Sequence, residues 1–520
     1  MERHGSETYF VIGEGLLGES GGGRMAVATA GAAAAGLAAV PPFRFSRMGP
    51  GGAGRQPTAA VRTKVAAAMV EGGGGASNVP AGFTYLGQFT DHDLTFDKTD
   101  VMLGQNVTPA DLLQGRSPSL DLDSLYGAGP GDPASAKFYE ADGLHLRMGK
   151  TDRVGAIPAM EGFDLPRGAG STVAAKRTAI IPDPRNDENL AVAQTHLAFI
   201  RFHNRVVDTL PASVPAGLRF ARARELVTKH YQWMLRTDFL PRICRPSAVT
   251  QVFSNGRKAF EVGATPTDVP TMPIEFSVAA YRLGHSMVRG AYNWNREFDN
   301  GTGTLDFLFA FAGLNGDFLG GLRLPSNWIA DFRRLYDFTE AGRNDLAVPA
   351  TKSNRANRID TKLSVPLETL PGFPPAGDNL AFRNLTRATM VNLATGQQMA
   401  RFLTGKAVSL TRLTNSQIRD GKNGVTLDAL TQQQRDALIQ NTPLWFYILR
   451  EAELNQGRLT GVGARIVVET FHRAMEGSRF SIVRDTSWRP TLGPNATTFR
   501  MVDLLLFAFR GRKNLLAPLG

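Results

Sequence analysis

The stretch Gln88-Phe89-Thr90-Asp91-His92-Asp93 sets a lone histidine between two carboxylates, with a carboxamide one helical turn upstream. On a helix, Gln88 and His92 share a face at i,i+4, while Asp91, His92 and Asp93 fan out by about 100° each. One short helix of this sequence can point a histidine into a cofactor pocket. It can lay one carboxylate against the cofactor edge and send the other into a cation site behind. Taken alone, the same residues also describe a solvated helix end whose acids satisfy a surface histidine.

Three further stretches have the same double character. Asp183-Pro184-Arg185-Asn186-Asp187-Glu188-Asn189 is a turn running into a helix that begins at Leu190. Pro184 forces an extended approach, and Asp187 or Glu188 suits the positive end of that helix. In Tyr281-Arg282-Leu283-Gly284-His285-Ser286-Met287, Gly284 leaves room for a flat ring beside a histidine on an otherwise apolar face. In Asn384-Leu385-Thr386-Arg387 a carboxamide and a guanidinium stand one turn apart. Separately these are a capped helix start, a core histidine and a polar helix face.

The elements that must position these groups read as helices. Apolar positions recur near 3.6 spacing over 190–210, and 222–239, 276–287, 384–403, 443–453, 462–475 and 501–509 read the same way. Period-two alternation is scarce, and 304–311 is apolar but short enough to be either helix or strand. No internal repeat is present. The expected architecture is a mostly α, large single domain with little β structure over residues 46–520, preceded by a Gly/Ala-rich extension over 1–45.

Composition narrows the function. At 520 residues, with 42% hydrophobic and 20% charged residues, the chain is an ordinary globular protein with length for a large core. Its single cysteine, Cys244, excludes an intrachain disulfide framework and any cysteine-rich metal or iron–sulfur site. The eight histidines, His4, His92, His145, His196, His203, His230, His285 and His472, leave few candidates for a transition-metal ligand. A net charge of +11 comes from scattered Lys and Arg without a basic run, which predicts no nucleic-acid partner and fits a surface that attracts small anions. The first twenty residues are acidic and Gly-rich with no apolar core, unlike a secretory signal. The Ala/Gly run over 25–40 is short and weakly hydrophobic for a membrane span and reads as an arm or a loosely packed helix. The expected location is cytoplasmic, or exported without a recognisable signal peptide, and no membrane association is expected.

In order and in residue type, the four stretches resemble the haem peroxidases of the peroxidase–cyclooxygenase superfamily, the animal type, of which this chain looks like a bacterial member. The likeness runs from about Phe43 to Phe509. It includes Asp121-Leu122-Asp123-Ser124-Leu125-Tyr126-Gly127, Phe202-His203-Asn204-Arg205 and Thr442-Pro443-Leu444-Trp445.

That resemblance implies haem b as cofactor and hydrogen peroxide as oxidant, reduced through a ferryl intermediate. The electron donor would be a small anion (halide or thiocyanate) or a phenol. His285 would be the proximal ligand to the haem iron. Asn384 would accept its other N–H, and Arg387 would pair with a haem propionate. On the distal side His92 would shuttle the peroxide proton. Arg185 would stabilise the negative charge that develops as the O–O bond breaks, and Gln88 would orient water or an anion. Asp91 and Glu188 match the two positions that form ester bonds to haem in mammalian members, and Asn189 replaces the methionine of a third link. A calcium ion would be held by Asp93, Asp121 and Asp123, with Ser117 and Ser119 as further oxygen donors. Without the resemblance that loop is an Asx-rich turn.

Two other functions share the fold. Fatty-acid dioxygenases and cyclooxygenases place a radical-forming tyrosine three residues before the proximal histidine. Here that position is Arg282, and Tyr281 is one step off, rotated about 100° on an ideal helix. A non-catalytic haem-binding protein would have no need of His92, Arg185 and Gln88 together.

Overall fold

All thirteen residues of the Gly82–Leu94 helix are buried, so it has no solvent face at all. It lies against the Leu190–Thr209 helix, where Phe89 stacks on Phe199 with ring centroids 4.4 Å apart. Phe89 also meets His196 and Tyr231 edge-on. At its start Gly82 accepts from the Tyr336 hydroxyl at 2.8 Å. A Cβ there would stand 2.3 Å from the Tyr336 ring, so only glycine allows this approach.

The computed structural model describes residues 43–99, 101–168, 170–265, 267–370 and 378–520. Nearly all of the expected N-terminal extension, including the Ala/Gly run, therefore lies outside the described residues. Within them the chain is mostly α-helical. The strands are two to five residues long and pair only two at a time. One hydrophobic cluster reaches from Phe45 to Leu516. Among the described residues no helix is long and apolar enough to cross a membrane.

Most expected helices form close to their predicted limits: Leu190–Thr209, Leu444–Leu454, Gly461–Glu476 and Met501–Ala508. The ambiguous 304–311 stretch becomes the helix Leu305–Ala310, with the Thr304 side chain accepting from Phe307 N. Three expectations of unbroken helix need correction. The Arg219–Met234 helix widens into a π turn at Leu235–Phe239 before Leu240–Ile243. Pro241 lies in that last piece, and a residue without an N–H cannot complete a regular ladder. The 384–403 stretch is two helices, Leu380–Met390 and Gly396–Gly405. Asn392 adopts positive φ between them, and Thr395 with Gln398 forms a capping box that restarts the helix. Most relevant to the site, 276–287 is a π turn (Glu275–Ala279), a 3-10 turn (Ala280–Leu283) and one short α turn (Gly284–Met287). The Arg282 Nε donates to Ser277 O at 2.7 Å, taking a carbonyl that a regular helix would use.

Candidate functional site

The Gly82–Leu94 helix packs directly on the short turn that carries His285. Its other neighbours include the 3-10 turn Pro184–Asp187, started by Asp183, whose side chain accepts from Arg185 N, and the helix that follows. Asn189 begins that helix by accepting from Val192 N at 3.0 Å. These local starts deliver Arg185, Asn186 and Glu188 to the face of the helix that bears Gln88 and His92.

His92 Nδ1 lies 2.9 Å from Asn186 Oδ1. An amide oxygen only accepts, so Nδ1 carries the proton and Nε2 presents a lone pair. That Nε2 is buried, and although Glu188 Oε1 is 3.3 Å away it makes no hydrogen bond. Burial, aided by the charge of Arg185, pulls the imidazole down to about 3. His92 is therefore a neutral acceptor at ordinary pH. Gln88 bridges its neighbours: its amide nitrogen donates to Glu188 Oε1, and its Oε1 accepts from Asn189 Nδ2 at 3.0 Å.

Arg185 is clamped. Its Nε and Nη2 bond the two oxygens of Asp183 at 3.0 and 2.7 Å, and Nη2 also donates to His92 O at 3.0 Å. Its guanidinium carbon lies 4.3 Å from the centroid of the Phe96 ring. Burial pushes the Asp183 carboxyl upward, but Arg185 and Arg116 outweigh it and hold the group well below the usual carboxylate range.

On the other side His285 Nδ1 is 2.6 Å from the Asn384 amide, and its ring meets Trp445 edge-on. As placed, Asn384 turns Nδ2 to the ring and leaves Oδ1 buried without a partner. Exchanging the two amide atoms, which differ only by assignment, puts the acceptor on Nδ1–H. Arg387 pairs with Asp97 at 3.2 Å and keeps Nη1 buried and unpartnered.

Asp91 ties the two sides together. Burial pushes its carboxyl up to about 6, against the attraction of Arg282, Arg185 and Arg387. Those arginines come from both flanks, so Asp91 lies between them. Burial also raises Glu188 well above the ordinary glutamate range, with Arg185 opposing. A cavity of about 20 Å³, room for about one water, reaches Thr95, Asp97, Arg282 and Arg387.

The acidic loop is arranged differently. Asp93 accepts from Leu122 N, Ser124 N and Ser124 Oγ at 3.2, 3.4 and 3.0 Å. Asp123 accepts from Ser117 N and sits 3.7 Å from Arg116 Nη1, leaving Oδ1 buried and unpartnered. Burial first, then Asp123, raises the Asp93 carboxyl. Asp121 turns away to Ser478 Oγ and Arg479 N. Ser119 is buried beside it, and its carbonyl accepts from Asp121 N. Among the described residues no three carboxylate, imidazole or thiol groups gather closely enough to hold a metal. As placed, Asp121 bonds Ser478 and Arg479, while its charge still acts on Asp93 and Asp123.

Four contributors were not singled out from sequence: Asn186, Asp183, Asp97 and Arg116. Two of them lie inside the stretch that drew attention to Arg185, yet helical spacing could not rank them because that segment is a 3-10 turn.

Residues 78–488 match the sequence profile described as animal haem peroxidase. Thyroid peroxidase of Rattus norvegicus is 27% identical over 192 residues, 35% of this chain and 20% of that protein. A peroxidase-like protein of Margaritifera margaritifera is 32% identical over 114 residues, 21% of this chain and 14% of that one. The chain thus matches only about a fifth, or less, of the length of these curated relatives. Among solved structures, peroxidase A of Dictyostelium discoideum superposes with a TM-score of 0.56 at 16% identity, covering 92% of this chain and 94% of that one. A fatty acid alpha-dioxygenase of Arabidopsis thaliana gives 0.58 at 13%, covering 91% and 78%. These two likenesses concern the fold. With the profile spanning most of its length, the chain belongs to the animal haem peroxidase family, within the peroxidase–cyclooxygenase superfamily.

Proposed function

We propose that this protein is a haem peroxidase that reduces hydrogen peroxide and oxidises a small anionic or phenolic donor. One observation carries the reading. Asp91 Oδ2, His92 Nε2, Arg185 Nη1, Glu188 Oε2 and Arg387 Nη1 are all buried without a hydrogen-bond partner. At about 1–3 kcal/mol each, such orphans together cost on the order of 10 kcal/mol. That is comparable with the whole stability of a folded domain, about 5–15 kcal/mol. An arrangement so expensive makes sense if a polar, partly charged group belongs between these side chains. Haem fits the donor set: a ligand imidazole with a carboxamide behind it, an arginine for a propionate, and two carboxyls for the ring edge.

In this reading His285 holds the iron and Asn384 Oδ1 fixes its tautomer by accepting the Nδ1 proton. Arg387 pairs with a propionate, while Asp91 and Glu188 are the groups that can become ester links. When bound, the haem would supply the redox-active iron that the reduction of peroxide needs. His92 Nε2, neutral and with its lone pair unpartnered, takes the proton from peroxide and returns it to the departing oxygen. Asn186 keeps the accepting nitrogen turned inward. Arg185 offers Nη1 to the negative charge that develops, and Gln88 holds Glu188 in place beside His92.

The acidic loop fits a hard cation at Asp93 and Asp123, where one carboxylate oxygen is unpartnered, and Ca²⁺ suits its all-oxygen donors. We assign it Ser117 and Ser119 as neighbouring donors, with Asp121 joining only if it leaves Ser478.

A second reading, fatty-acid oxygenation, is favoured by one feature. The Tyr281 hydroxyl is buried beside Thr90, and the Asp91 charge acts on it. Because 280–283 is a 3-10 turn, Tyr281 is not placed as an ideal helix would place it. An absorption spectrum of the purified, haem-loaded chain before and after one equivalent of peroxide tests the peroxidase reading. A screen of halide, thiocyanate, phenol and long-chain fatty acid then separates the two. No spectral response to peroxide together with oxygen uptake on fatty acid would replace the first reading with the second.

A further inference from the structure

A buried chain of ion pairs runs from the acidic loop to Arg185, and Arg116 stands in its middle. Arg116 Nη1 lies 3.7 Å from Asp123 Oδ2, and its Nη2 lies 2.6 Å from Asp183 Oδ2. That same Asp183 oxygen is 2.7 Å from Arg185 Nη2, while Oδ1 takes Arg185 Nε at 3.0 Å. One carboxylate is thus shared by two guanidinium groups. The Phe96 ring lies beneath both, with centroid distances of 4.3 Å to Arg185 and 5.8 Å to Arg116.

Geometry gives this sharing a consequence. Arg185 spends Nε on Asp183 and Nη2 on Asp183 and His92 O, so only Nη1 is left unpartnered. Where Nη1 points is fixed by the plane of the guanidinium, and that plane follows the Asp183 carboxylate. Asp183 Oδ1 is also held by Arg185 N at 3.0 Å, so the freedom left to this carboxylate is the swing of Oδ2, which would carry Arg185 Nη2 with it. A second guanidinium on Oδ2, itself backed by Asp123, removes that freedom. The planar fork of arginine suits this role, whereas a lysine keeps the charge but not the orientation. A misplacement of about 1 Å in a positioned group can lower a rate by ~10²-fold.

We infer that Arg116 is a positioning residue for Arg185, acting through Asp183. The alignment is a property of the chain itself, while its effect on rate rests on the peroxidase reading above. The experiment has two arms to keep these apart. In the purified full chain with ¹⁵N-labelled arginine, the Arg185 Nε–H signal is identified by its loss in Arg185→Lys. Arg116→Met should speed its hydrogen exchange about tenfold or more, and Arg116→Lys should fall between that variant and wild type. Unchanged exchange in both variants overturns the inference. In the haem-loaded chain, Arg116→Met should weaken cyanide binding and lower kcat/KM for peroxide by about tenfold, with haem content held. Arg116→Lys should recover part of both, which a merely structural role does not predict. Should Arg116→Met fail to fold, Arg116→Lys alone decides, with about a threefold loss expected in each. Loaded variants with wild-type values of both overturn the functional half. A wild-type chain that binds haem but ignores peroxide sinks the peroxidase reading, and the exchange arm still judges the role of Arg116.

Discussion

The His92–His285 site and the acidic loop both bury carboxyl groups, but they settle them in opposite ways. Around His92 and His285, Asp91, His92, Arg185, Glu188 and Arg387 each keep a polar atom without a partner. In the loop, Asp93 is satisfied by backbone and Ser124, Asp121 by Ser478 and Arg479, and one oxygen of Asp123 is left over. The protein cannot complete the first region from its own donors, whereas it nearly completes the second. The first should therefore depend strongly on what binds there, and the second only mildly.

The largest effect that could break this contrast is at His285. His285→Ala should lower the haem-to-protein ratio of purified material to below about a tenth of wild type, because the one protein ligand to iron is lost. Full haem content with an unchanged spectrum would remove His285 from the site. Next, His92→Ala should keep haem and slow the stopped-flow reaction with peroxide by ~10²–10⁴-fold. In wild type that reaction should stay level from neutral pH downward and fall only near pH 3, where His92 gains its proton and can no longer accept one. An acid limb near pH 6 would mean that the imidazole is far less desolvated than this structure makes it.

A middling effect is expected at the carboxyls between the two sides. After peroxide turnover, part of the haem should stay with the polypeptide in acidified organic solvent, and Asp91→Val or Glu188→Gln should lower that part. Complete extraction from wild type removes the ester links and leaves the peroxidase reading intact. The smallest effects belong to the loop. Chelation of Ca²⁺ should reduce peroxidase activity by several-fold without first releasing haem, and added Ca²⁺ should restore it. Asp123→Ala should cost more activity and a larger drop in Tm than Asp121→Ala, since Asp121 is already occupied by Ser478 and Arg479. An equal or reversed order would show that Asp121 leaves Ser478 to join a cation.

What the sequence made legible follows how each part is encoded. Gln88 and His92 sit on a regular helix, so i,i+4 spacing placed them on one face correctly. Asn384 and Arg387 kept their one-turn spacing although the helix around them ended earlier than expected, because Asn379 starts it and Thr395 restarts the next. The segment before His285 was not legible. Its π and 3-10 turns depend on long-range anchors such as Glu275 accepting from Met48 N and Gly49 N at 2.9 Å, 227 and 226 residues away. The partner of Asp121 was not legible for a related reason, since Ser478 lies 357 residues downstream and no local pattern predicts it. Arg116 looked like one scattered cation among many until Asp183 and Asp123 came to either side of it.

The enclosure of the Gly82–Leu94 helix bears on how the finished protein is assembled. A helix buried on every side, carrying the distal histidine, has no outer surface along which a flat tetrapyrrole can slide into place. Its neighbours must part before the ring can pass, and they close again only around the completed contact. If haem lies where the proposed function puts it, its uptake would be a step in folding rather than a docking event. Its pace is set by how often the helix and its partners come loose, not by how much haem waits outside.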